Sequence, residues 1–71
     1  MTDYNQALKS FDAGQDMRKY ARSLRTGNLK AAEMIEKKWD LYGYSPEVVS
    51  TVLSCVATGL DIDAAIEEAT S

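Results

Sequence analysis

The sequence predicts an all-α protein, a compact bundle of four to five short helices. Three observations carry this. Apolar residues recur at the helical period of about 3.6 in every segment. All four glycines, Gly14, Gly27, Gly43 and Gly59, fall where such a pattern stops. The segment Ser45 to Gly59 pairs an apolar arc with strong helix-start residues. The chain has 71 residues, 45% of them apolar and 27% charged, which fits one ordered domain over 1–71 rather than a disordered chain. A chain this short buries only about 60% of its unfolded surface, so its core is small and a partner or a second copy would add to its stability.

The first element is expected from Thr2 to Ala13, with Thr2 or Asp3 as N-cap and Tyr4, Ala7, Leu8 and Phe11 as one apolar stripe. The second is expected from Asp16 to Thr26, where Met17, Tyr20, Ala21 and Leu24 repeat the spacing. The two stripes lie on different faces of any one straight helix, so the sequence predicts a break near Gly14 with Asp16 capping the second helix. A third helix opens at Asn28 and reaches Tyr42; Ala32, Ile35, Trp39 and Tyr42 line its inner face, flanked by Ala31, Met34 and Leu41. Its outer face carries a Glu33 and Lys37 pair at i, i+4.

The fourth element has the clearest start. Ser45 as N-cap, Pro46 at the first helical position and Glu47 in the first turn suit the free amides and the positive end of the helix dipole. Its many β-branched residues suit a strand, but the Ser-Pro-Glu start and the Thr58-Gly59 stop favour a helix. Val48, Val49, Val52, Leu53, Cys55 and Val56 form the inner arc. Ser50, Ser54 and Ala57 are left on a small, nearly uncharged outer face that another helix can approach closely. The last helix starts at Asp61 and turns Ile62, Ala65, Ile66 and Ala69 inward, with Asp63, Glu67 and Glu68 outward.

Residues 38–69 resemble a ubiquitin-associated (UBA) domain. The resemblance lies in the Gly-aromatic turn Leu41-Tyr42-Gly43-Tyr44 and in the opening Asp61-Ile62-Asp63-Ala64-Ala65-Ile66 of the last helix. The spacing between these landmarks is slightly longer than in that family, and Leu41-Tyr42 stands where the family usually has a Met or similar residue before its Gly. The resemblance implies a UBA-like arrangement of the C-terminal three helices and, through the family, ubiquitin binding. Gly27 to Trp39 is similar to the second helix of a tetratricopeptide repeat, although the helix before it does not fit.

Composition narrows the function classes. The chain has no histidine and one cysteine, so the commonest general base and metal ligand are missing and no internal disulfide can form. No long apolar run and no basic-apolar leader are present at the Met1 end, so the expectation is a cytoplasmic protein without a membrane association. Cys55 lies on the apolar arc and reads as a buried thiol. The acids at 61–68 lack the calcium-loop pattern and read as a cap plus a solvated face, so no catalytic residue, cofactor or metal is expected.

Charge is distributed unevenly: residues 1–30 hold six basic against three acidic residues, and 31–71 hold two against eight. Arg18, Arg22 and Arg25 share one helix face near Lys19 and Lys30. That strip suits nucleic-acid phosphate or an acidic protein surface, or pairs with the acidic half of the same molecule. The clearest helix carries no residue that reads base edges, which makes nucleic acid the second choice. The leading expectation is a non-enzymatic protein-interaction module, a small regulator or inhibitor of the kind phages and mobile elements encode, with a homodimer as one candidate state. Candidate partner-binding residues are Arg18, Arg22, Arg25, Tyr44, Ser50, Ser54 and Ala57.

Overall fold

The computed structural model describes residues 2–71, with side chains from Asn5 onward. It has four helices and, among the described residues, no strand: α1 (Thr2–Thr26), α2 (Leu29–Lys38), α3 (Pro46–Ala57) and α4 (Ile62–Thr70). The 25 residues of α1 span about 37 Å at 1.5 Å per residue, which accounts for the molecule's longest dimension of 39 Å. α1 packs on both α2 and α3, and α3 packs on α4.

The break expected at Gly14 does not form. Gly14 sits inside α1 with helical backbone, and a Cβ built on it would lie 3.8 Å from the Ala57 Cβ on α3. The glycine marks the crossing of two helices, not the end of one. Ala57, expected on the outer face of α3, is half-buried at that crossing, and Ser50 is half-buried on the same helix. Thus part of the small face of α3 is used by α1 of the same chain.

A methyl at residue 14 would make ordinary van der Waals contact. Gly14→Ala is therefore expected to stabilise the fold by about 0.5–1 kcal/mol, because it restricts the unfolded chain and suits helix. Thermal melting followed by circular dichroism should show a rise of a few degrees, about 2–6 °C.

Only one of the two stripes on α1 can face the core of a continuous helix. The structure buries Ala13, Asp16, Tyr20 and Ser23, with Met17 and Leu24 partly covered. Leu8 and Phe11 consequently point outward, 50% and 67% exposed, and Ala7 is exposed with them. Tyr4 and the expected caps Thr2 and Asp3 lie outside the described side chains.

The helix ends are local events, and most match expectation. Asn28 Oδ1 accepts from the Ala31 amide, Ser45 Oγ from the Val48 amide and an Asp61 carboxylate oxygen from the Asp63 amide. Gly27 and Gly59 take positive φ at the ends of α1 and α3. α2 stops four residues short of the expected Tyr42. Asp40 adopts the left-handed conformation at its end, with φ 58°, and Gly43 takes its positive φ of 103° only in the turn that follows. The Leu41 amide then donates to the Glu36 carbonyl at 2.7 Å and the Asp40 amide to the Lys37 carbonyl, which swings Leu41 into the core. Tyr42, expected inside, is 62% exposed beyond that turn. Asp40→Gly should relieve the left-handed strain and raise stability by roughly 0.5 kcal/mol, read as a higher urea midpoint at unchanged slope.

The core joins Val49, Val52, Leu53 and Val56 of α3 to Ala13 and Tyr20 of α1, Ala32 and Ile35 of α2, Leu41 and Ala65 of α4. Cys55, expected to be buried, is half-buried.

Candidate protein-interaction surface

Because α1 runs unbroken through Gly14, residues seven apart fall two turns apart on nearly the same line. Phe11, Arg18 and Arg25 form such a series, with Leu8 and Arg22 close beside it. All five are exposed. The outer face of α1 is therefore apolar in its first half and basic in its second. The sequence contained both groups, but a break at Gly14 would have set them on separate faces.

Among the described residues, the ion pairs are Lys37 with Glu33 at 3.1 Å, and Lys38 with Asp12 at 3.0 Å and Asp16 at 2.7 Å. Arg18, Arg22 and Arg25 take no part in them. No acid of α4 forms an ion pair with them, and all three guanidinium groups are on exposed residues. An open groove of about 270 Å³ runs beside Phe11, lined by Ser10, Gly14, Gln15, Arg18 and Ala57. The missing side chain at Gly14 leaves its floor low.

The other candidates are placed separately. Tyr44 is 39% exposed in the turn before α3. Ser54 is exposed on α3, whereas Ser50 and Ala57 are half-buried.

A second polar cluster holds α2 on α1. Asp16, expected as a cap, is 4% exposed; it accepts from Trp39 Nε1 at 2.8 Å and from Lys38 Nζ at 2.7 Å. Burial pushes its carboxyl up, but the hydrogen bonds from Lys38 and Trp39 and the charges of Lys38 and Lys19 outweigh this and leave it below the ordinary carboxylate value. The buried Tyr20 hydroxyl donates to Glu36 at 2.6 Å. Burial first, and then the Glu36 carboxylate, raise its pKa well above that of a free tyrosine. Both pairs link residues 16 or more apart in sequence, so no local pattern announces them. Every buried side-chain polar atom among the described residues has a partner, so the cluster reads as structural.

No group of three or more potential metal ligands is found among the described residues, and no described helix is long and apolar enough to cross a membrane. In comparisons with known proteins, no family model matches the chain, and neither does any curated protein or solved structure. The UBA and tetratricopeptide resemblances rest on the quoted residues alone, and α2 takes α1 as its principal neighbour.

Proposed function

We propose that this protein is a non-enzymatic interaction module that regulates or inhibits a protein partner by occupying its surface. The observation that carries the reading is the outer face of α1, where exposed Leu8 and Phe11 adjoin the unpaired Arg18, Arg22 and Arg25. Exposed aromatic and arginine side chains together are the usual anchors of protein interfaces. An apolar half has no complement in a phosphate backbone, which favours protein over nucleic acid.

Crosslinked capture from the native host, followed by mass spectrometry, tests this. The wild-type protein should retain a protein that both Phe11→Asp and the double variant Arg18→Glu/Arg22→Glu release. Retention by all three would remove α1 from the reading.

The second reading, binding of nucleic acid or phosphate, draws on the unpaired arginine strip. It requires affinity for random single-stranded or duplex DNA that falls steeply with salt and disappears in the double arginine variant.

A further inference from the structure

We infer that the partner segment is an acidic amphipathic helix of another protein, lying along α1 with an aliphatic side chain against Leu8 and Phe11 and carboxylates against Arg18, Arg22 and Arg25. The inference rests on the protein-binding reading above and specifies the chemistry of its partner.

The geometry of the face sets the terms. From Phe11 to Arg25 it extends about 21 Å, four turns of helix. The arginines are spaced by four and three residues, rises of about 6 and 4.5 Å. Carboxylates at i, i+4 and i+7 of a facing helix reproduce those rises, and each can accept a bidentate guanidinium. An extended strand puts same-face side chains about 6.6 Å apart and falls out of step along the strip. Next to the basic ladder, the groove over Gly14 has Phe11 and Ala57 as apolar walls and Arg18 at its rim. It suits one aliphatic knob flanked by an acid.

A second copy of this chain complements the face poorly. Its own α1 would bring arginines against arginines if parallel, or against Phe11 and Leu8 if antiparallel, and in neither case would that face supply the carboxylates the arginines lack. Its acidic α4 presents no large exposed apolar side chain to meet Phe11; the exposed ones are Leu8, Phe11, Leu29, Met34, Tyr42 and Tyr44. Apolar and acidic groups must come along one helix face. Among the described residues, exposed Tyr42 and Tyr44 do lie near Asp40 and Glu47, but in and beside the turn before α3 rather than along a helix face, and they are aromatic rather than aliphatic.

The probe is a fluorescein-labelled synthetic helix of about 21 residues with two leucines one turn apart, followed by Glu at i, i+4 and i+7. Its controls are a peptide of the same composition with the glutamates moved off that face, a Glu-to-Lys version, and a single-stranded oligonucleotide. Anisotropy and amide chemical-shift mapping on labelled protein provide the readouts.

Saturable binding of the acidic peptide is expected, with shifts concentrated on residues 8–25 of α1. The two control peptides should bind at least about tenfold more weakly. Phe11→Asp and Arg18→Glu/Arg22→Glu should each weaken the acidic peptide by a similar factor without lowering the melting temperature. Added salt should weaken the wild-type complex but not that of the arginine variant.

Equal binding of the displaced-glutamate peptide overturns the inference, as does absence of any shift on α1 at millimolar peptide. Preference for the oligonucleotide, or a sedimenting dimer that Phe11→Asp dissociates, overturns it in favour of nucleic acid or a second copy. A protein captured through Phe11 whose contact ignores salt and arginine reversal would sink the acidic helix while leaving the protein-binding reading standing. Peptide binding without any α1-dependent capture would do the reverse.

Discussion

Val52→Asp is expected to unfold the protein at neutral pH. Val52 is fully buried on α3 between Val49, Leu53 and Val56, and the chain around it offers no cation. The substitution removes a buried apolar side chain and puts a carboxylate in its place, which costs several kcal/mol. At roughly 0.05–0.15 kcal/mol per residue, a chain of 71 residues has only about 4–10 kcal/mol in total. The far-ultraviolet helical signal and amide dispersion should collapse together. Ser54→Arg, two residues along on the exposed side of the same helix, should leave both unchanged. A folded Val52→Asp variant would mean that α3 is not the centre of the core.

Asp16→Ala is expected to cost about 2–4 kcal/mol, because it leaves Trp39 Nε1 without its acceptor and removes the better shielded partner of Lys38. Lys38 keeps Asp12, but that pair is about half exposed on both sides and adds little. The interaction also sets a pH dependence. The folded Asp16 carboxyl is held below its ordinary value, so its contribution is fully present above about pH 4, the unfolded value, and is lost as pH falls through the folded one. Urea unfolding from pH 7 down to pH 2 should show this loss in the wild type. Asp16→Asn should start less stable and lose less over the acid range. An unchanged acid slope in Asp16→Asn would place the acid sensitivity elsewhere.

The two variants divide the molecule into a part that can be read along the chain and a part that cannot. Val52 was legible, because a period of about 3.6 places Val49, Val52, Leu53 and Val56 on one arc whatever packs against them. The caps at Asn28, Ser45 and Asp61 were legible for the same reason: each satisfies an amide two or three residues away. Asp16 was not. Its side chain type suits a cap, and only the docking of α2 supplies Trp39 and Lys38 as partners, 23 and 22 residues on. Asp40 was missed because glycine is the usual left-handed residue, and Gly43, which does take positive φ three residues later, stood nearby to end the helix.

The candidate surface divides in the same way. Arg18, Arg22 and Arg25 stand on one face by spacing alone. That Leu8 and Phe11 extend this face, and stay uncovered, depends on the continuity of α1 through Gly14.

By itself, then, the sequence determined the all-α class, three helix starts, the inner arc of α3 and the arginine strip, because each depends on residues within about two turns of one another. The tertiary structure alone decided that a glycine interrupts nothing and that one apolar stripe is buried and another exposed. It also decided that an aspartate expected at a helix end sits in the interior. Those outcomes depend on which surfaces meet. A helix can turn only one face to its core, and α3 and α2 together chose the face carrying Ala13 and Tyr20.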